Sequence, residues 1–320
     1  MALLIREEEV PLLFPMSEAI DAVETGFRML SQNRAANGPR QRPKAGSATL
    51  QVMSAAASGV GLGLKAYPVT KAGADFLVLL WNDETGELEA LIEAATLGSI
   101  RTGAASGVAT RYCARRDARR LGLFGSGYQA ETQLEAICAV RPIEEVLVYS
   151  RTAARREQFA ERVAPKISAR VRAVSDPNEA AGCEVIVTIT NATEPLFEGS
   201  RPAPGTHVNA AGSNRSIARE IDTALIRRCA RIFVDDLVQA RTECGDLIAA
   251  VAEGGTAWSA VRELSEVVGG TEAGRQREEE LTLFESQGIG LEDVMAARRV
   301  YEAAKAAGAG ESLPAIGRKR

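Results

Sequence analysis

The sequence predicts an α/β chain in two architectures: a doubly wound parallel sheet, preceded by an α/β segment of antiparallel or mixed strands. Three observations predict it. From residue 121 onward, short near-continuous apolar runs alternate with helix-like segments, the pattern of a parallel sheet covered on both faces. Before that point apolar strands follow one another without intervening helices, as in an antiparallel or mixed sheet. The basic run Arg115-Arg116-Asp117-Ala118-Arg119-Arg120 lies between the two patterns.

In chain order, PMSEAIDAVETGFRML (15–30) has helical periodicity, with Ser17 as its N-cap. ATLQVMSAA (48–56) and GLGLKAYPV (61–69) are strands. FLVLLWNDETGELEALIEA (76–94) is a hairpin in outline, turning through Asn82-Asp83-Glu84-Thr85-Gly86. Arg101 opens the small-residue helix TGAASGVAT (102–110). The strand LGLFG (121–125) then leads to the helix AETQLEAICAV (130–140), which stops before Pro142. EEVLVYS, the amphipathic TAARREQFAERVAPKI, VRAVS, EVIVTIT, HVNAAG and RIFVDD continue the alternation. LEDVMAARRVYEAAKAAG (291–308) has helix composition, stops at a Gly-rich stretch and could return to the first segment.

The composition excludes several function classes. The net charge is −4 and no basic block occurs, so nucleic acid is not an expected partner. No stretch has the apolar length of a membrane span, and MALLIREEEV turns acidic too early for a signal peptide. Five scattered cysteines without a CxxC pair suit a reducing cytoplasm. His207 is the single histidine, which leaves no multi-histidine metal site, and no metal is expected. Its position, where a turn enters a strand, suits a structural polar residue. Acid–base work therefore falls to Lys, Asp, Glu, Tyr or the substrate.

Gly125-x-Gly127-x-x-Ala130 follows a strand and opens a helix, which is the context a dinucleotide fingerprint needs. Gly125 permits the tight turn, Gly127 lets the backbone approach a pyrophosphate, and Ala130 allows close helix–strand packing. Tyr128 and Gln129 complete the loop. The domain is thus of Rossmann type. Where the next strand ends, a carboxylate would grip the ribose hydroxyls of NAD; Ser150-Arg151-Thr152 stands there instead, which suits a 2′-phosphate. The cofactor expected is NADPH or NADH, with the lean towards NADPH. Ahead of the loop, Lys65 lies in an otherwise apolar strand and either snorkels to the surface or projects into a cleft. Arg101 has a fork able to hold a carboxylate, or to close a salt bridge at a helix start. Arg40 and Arg42 sit in the loop NGPRQRPK.

Together, SIRTGAASGVAT (99–110), GSGYQAETQ (125–133), HVNAAGSNRSIAREID (207–222), VDDLVQARTECGDL (234–247) and LTLFESQGIGLEDVMAA (281–297), with the Lys65 strand, resemble the ornithine cyclodeaminase/mu-crystallin family over nearly the whole chain. The resemblance implies a substrate-binding and dimerisation domain of residues 1–116, completed by a C-terminal helix within 290–320. The Rossmann domain, 117–289, is inserted between these parts. It implies a homodimer acting on a small anionic imino or amino acid. It gives Lys65 and Arg101 the substrate carboxylate and Arg42 a further contact, with Arg40 as the alternative because the gap to the next strand is shorter here. Gln129 and the adjoining glycines take the pyrophosphate, Ser150, Arg151 and Thr152 the adenosine end, and Thr190 and Ser286 the nicotinamide side.

One departure bears on the reaction. Cyclodeaminase-type members carry an aspartate where this chain has Asn214. Asparagine cannot accept a proton, which ornithine cyclisation and oxidative deamination both require near the amine. Reduction of a protonated imine needs no such base. The expectation is therefore an NAD(P)H-dependent reductase of an α-imino acid, with Lys65 and Asn214 at the reacting groups. The substrate is an imino-dicarboxylate such as iminosuccinate or a cyclic ketimine such as pyrroline-2-carboxylate. Cyclodeaminase, alanine-dehydrogenase-like activity and cofactor binding without catalysis are the alternatives.

Overall fold

The computed structural model describes residues 2–314. It divides into two compact units, one running to Arg101 and resuming at Ile289, the other spanning Thr102–Gly288. The first division falls inside the helix Ala95–Cys113 rather than at the basic run near residue 116. A continuous helix carries the chain across it, so no turn or composition shift marks the place.

Strands are numbered along the chain. The first unit holds β1 (Leu3–Ile5), β2 (Ala35–Asn37), β3 (Lys44–Ala45), β4 (Ala48–Ala57), β5 (Gly61–Thr70), β6 (Gly73–Ala74), β7 (Leu77–Trp81), β8 (Leu88–Glu93) and β17 (Glu311–Ser312). They form one sheet in the order β17-β1-β8-β7-β5-β4-β2, with β3 on β4 and β6 on β5. All pairings are antiparallel except β1 with β8, so the sheet is mixed. The β7–β8 turn forms as its residues dictate: Asn82 Oδ1 accepts the amides of Glu84 and Thr85, and Gly86 takes φ 66°.

Two helices cover this sheet. Met16–Ser31 buries Ala19, Ile20, Val23 and Phe27, the i, i+3, i+4 stripe of a core-facing helix. Its N-cap is Pro15, with extended backbone, and Ser17 lies inside the first turn; the expected Ser17 cap is corrected. Proline fixes the entry to the helix by its own φ, and no side-chain cap bond forms. The closing helix, Gly290–Ala307, packs on Met16–Ser31 and on β4 and β5. Residues 315–320 of the expected C-terminal segment lie outside the described residues.

The second unit holds β9 (Arg120–Phe124), β10 (Glu145–Tyr149), β11 (Arg170–Ala173), β12 (Val185–Thr188), β13 (His207–Ala210), β14 (Arg231–Val234), β15 (Val261–Glu263) and β16 (Thr282–Glu285). All pairs are parallel, in the order β11-β10-β9-β12-β13-β16-β14-β15. Strand alternation builds a core on each face. Phe124, Leu147, Ile186, Val208 and Leu283 pack on one side. Leu121, Leu123, Val146, Val148, Val185 and Val187 pack on the other. Burying each such side chain contributes roughly 1.5–3 kcal/mol. The chain order reverses between β9 and β12, so the carboxyl end of β9 lies at a topological switch point, where doubly wound sheets bind ligands.

Candidate active site

In the first unit the antiparallel register sets Met53 opposite Lys65 and Gln51 opposite Tyr67. Gln41 bridges Val52, which places Arg40 and Arg42 on the same side of the strand as Lys65. Lys65 does not snorkel. It is 3% exposed, and its Nζ donates to Asp293 Oδ1 at 2.9 Å. Gly98 makes room for the ammonium, since a Cβ there would lie 2.7 Å from Nζ.

Arg101 reaches the same oxygen. Its Nε donates to Asp293 Oδ1 at 3.0 Å and its Nη1 to Glu292 Oε2 at 2.6 Å. The helix that carries it starts at Ala95, so Arg101 lies in the second turn rather than at the opening; this corrects the sequence-based start. Glu7 fixes that start by accepting the amides of Ala95 and Thr96. Arg40 donates to Tyr67 Oη and Met53 Sδ, each at 3.0 Å, and Arg42 donates to Gln51 Oε1 at 3.0 Å.

Burial pushes the Lys65 ammonium down to about 8; Asp293 opposes this, while Arg101 and Arg40 add to it. Arg101 is raised by its two acids despite burial. Against the same burial, the two cations hold the Asp293 carboxyl below its ordinary range. Glu292 and Asp293 were not among the residues singled out from the sequence. Their acidic pair in GLEDVMAA at a helix start resembles dipole compensation, and only the fold brings it to Lys65 and Arg101.

The second unit presents the glycine loop at the switch point. Gly125 has φ 121°, a conformation L side chains rarely adopt, and its amide donates to Tyr149 O. A Cβ at Gly127 would meet nothing within 4 Å, so the backbone there is open to a ligand. The helix Ala130–Val140 begins directly after Gln129, which makes no side-chain cap bond. Tyr128 is exposed. Ser126 Oγ donates to Ser150 Oγ at 3.1 Å, tying the loop to the end of β10. Arg151 and Thr152 are exposed, and Thr152 N-caps the next helix without a side-chain bond. This cradle fits a dinucleotide pyrophosphate.

Thr190 and Ser286 follow the ends of β12 and β16 and are fixed by buried acids. Glu220 Oε1 accepts Thr190 N at 2.7 Å and Thr190 Oγ1 at 2.6 Å, and Oε2 accepts Thr188 Oγ1 and Gly212 N. Asp246 Oδ1 in turn accepts the amides of Glu220 and Ile221. Asp235 Oδ2 accepts Ser286 Oγ at 3.1 Å and the amides of Gln287 and Gly288. Asp236 caps the helix Leu237–Glu243 by accepting Gln239 N. Asn214 is half-buried in the loop after β13, close in sequence to the clipped Gly212. His207 is buried beside Thr282 and Asn209, and burial lowers it to about 3. No group of three or more His, Cys, Asp or Glu suited to a metal occurs among the described residues. No described helix is long and apolar enough to cross a membrane.

Comparison with known proteins places this geometry in context. The model of the ornithine cyclodeaminase/mu-crystallin family matches residues 2–308. Delta(1)-pyrroline-2-carboxylate reductase of Bacillus cereus is 36% identical, covering 97% of this chain and 99% of the relative. Iminosuccinate reductase of Paracoccus denitrificans is 31% identical, covering 97% and 99%. Among solved structures, Thermococcus litoralis Delta(1)-pyrroline-2-carboxylate reductase in complex with NADH and L-proline matches with TM-score 0.93 and 32% identity over 97% of this chain and 100% of that one. An archaeal alanine dehydrogenase dimer with bound NAD matches with TM-score 0.91 and 33% identity over 98% and 99%.

Proposed function

The chain belongs to the ornithine cyclodeaminase/mu-crystallin family, and from that premise we propose that it reduces an α-imino acid to the amino acid with a nicotinamide dinucleotide. The observation that carries the reading is the buried pair Lys65 and Arg101, two cations meeting on one side of the sheet in a family whose similar members are named for imino-acid substrates. Buried cations of this kind hold a carboxylate far more strongly than exposed ones do.

Lys65 and Arg101 bind the substrate carboxylate. Arg40 is favoured over Arg42 as the third contact, because its charge acts on Lys65 whereas Arg42 donates to Gln51. Fixing the carboxylate orients the adjacent imine carbon, which contributes to the rate through proximity. Bound NADH or NADPH supplies the hydride. Lys65 keeps the imine nitrogen protonated, and Asn214 orients it as a hydrogen-bonding group that takes no proton. That assignment favours reduction over cyclodeamination.

Gly125, Gly127, Tyr128, Gln129 and Ala130 hold the pyrophosphate, while Thr190 and Ser286 line the nicotinamide side. Ser150, Arg151 and Thr152 take the adenosine end, with Arg155 exposed nearby, and the absence of an acid there favours NADPH. The first unit also supports a homodimer. Leu50, Leu62 and Leu77 are exposed on its sheet, and the half-buried Trp81 pairs with Leu62. A second copy covering this apolar face removes it from water.

Lys65→Met tests the reading. The variant is expected to bind NADPH or NADH as the wild type does and to lose imino-acid turnover; retained turnover would contradict the assignment.

A further inference from the structure

The two acids at the start of the Gly290–Ala307 helix are neighbours in sequence and share Arg101, and Asp293 also holds Lys65. Glu292 Oε2 accepts Arg101 Nη1, whereas Asp293 Oδ1 accepts both Lys65 Nζ and Arg101 Nε. Asp293 is 0% exposed, and its second oxygen, Oδ2, has no hydrogen-bond partner. A carboxylate that spends one oxygen on two cations is committed to charge rather than to capping. Lys65 is met from three elements: by Arg101 from the Ala95–Cys113 helix, by Arg40 from the segment before β4, and by Asp293 from the Gly290–Ala307 helix. The rings of Tyr67 and Phe76 lie 5.9 and 5.4 Å from Nζ. Among the strongest charged influences on this ammonium, Asp293 is a carboxylate, and Arg101 and Arg40 are cations.

We propose that Asp293 is a positioning residue which keeps Lys65 protonated for its part in imine reduction. The inference rests on the reading above. In that reaction the imine carbon gains a hydride from the reduced nicotinamide and the nitrogen gains a proton from Nζ. The C=N double bond becomes a single bond, and the neutral lysine then recovers its proton from water. Burial and two guanidinium neighbours all favour the neutral lysine, and Asp293 opposes them. Without that carboxylate the ammonium gives up its proton at a lower pH.

The test is the pH profile of kcat/KM for pyrroline-2-carboxylate reduction, measured on wild type, Asp293→Asn, Asp293→Glu and Glu292→Gln. The imine's own titration is common to all four, so differences report the enzyme group. Wild type is expected to lose activity as pH rises through about 8. Asp293→Asn moves that limb down by about one pH unit or more and recovers part of its activity at acid pH. Asp293→Glu keeps the charge, so its limb stays at the wild-type pH with a lower kcat. Glu292→Gln raises KM and moves the limb less than Asp293→Asn does, because its carboxylate accepts from Arg101, whereas Asp293 accepts from Lys65 itself. A limb in Asp293→Asn that coincides with wild type, or one in Glu292→Gln or Asp293→Glu that moves as far, overturns the inference and leaves the reductase reading standing. A wild type that binds NADH or NADPH but reduces no imino acid overturns both.

Discussion

Asp293 in the first unit and Glu220 in the second are both fully buried carboxylates, yet they are held in opposite ways. Asp293 faces two cations and its pKa is lowered, whereas Glu220 accepts amides and hydroxyls and its pKa is raised by burial. Asp246 and Glu285 behave like Glu220: burial raises both, Asp246 to about 7. The first unit uses a buried acid to set charge, and the second uses buried acids to fix loops at the ends of strands. Residue type alone does not reveal which task an acid performs; its partners do.

The contrast predicts different failures in the two units. The largest effect is expected from Arg101→Met, which strands Glu292 and Asp293 without their shared cation. Loss of one partner from a buried pair costs about 3–5 kcal/mol, so urea unfolding should shift strongly and imino-acid turnover should disappear. Gly125→Ala comes next. It forces a side chain into φ 121° and against Ile189 O, a strain of about 1–3 kcal/mol, and it should weaken NADH binding at least tenfold by fluorescence titration. Glu220→Gln replaces an acceptor by a donor among donors. It should cost about 1–3 kcal/mol and raise the KM for NADH while leaving the alkaline limb assigned to Lys65 in place.

The smallest effect is one of pH. His207 is lowered to about 3 in the fold, so between that value and 6.5 the unfolded chain binds the extra proton. Its contribution to stability is complete above 6.5 and declines as pH falls towards 3. Asp246, raised to about 7, acts in the other sense: the folded chain holds the proton, and stability declines as pH rises from 3.8 to 7. Melting temperature against pH should therefore lose part of its acid slope in His207→Gln and part of its neutral slope in Asp246→Asn.

Much of the fold is legible in the sequence because its signals are local. The alternation from Leu121 to Asp236 encodes a parallel sheet, and the Asn82–Gly86 turn and the glycine loop each carry their conformation in their own residues. What escapes is nonlocal. Ser17 looks like a cap until Pro15 takes the position, and the start of the Arg101 helix is set by Glu7, far away in the chain. Lys65 and Arg101 stand out as charges in apolar or small-residue surroundings. Asp293 does not, because acids at a helix start are ordinary, and its meeting with Lys65 spans 228 residues.

The most direct test of imine reduction follows the reduced-nicotinamide absorbance band while wild-type protein meets pyrroline-2-carboxylate, and then pyruvate or oxaloacetate with ammonia. A parallel arm gives the protein L-ornithine with NAD and scores proline. Oxidation of NADPH or NADH by an imino acid, with no proline formed from ornithine, is the predicted result. Proline release from ornithine, or a bound cofactor that no imino acid oxidises, would contradict it.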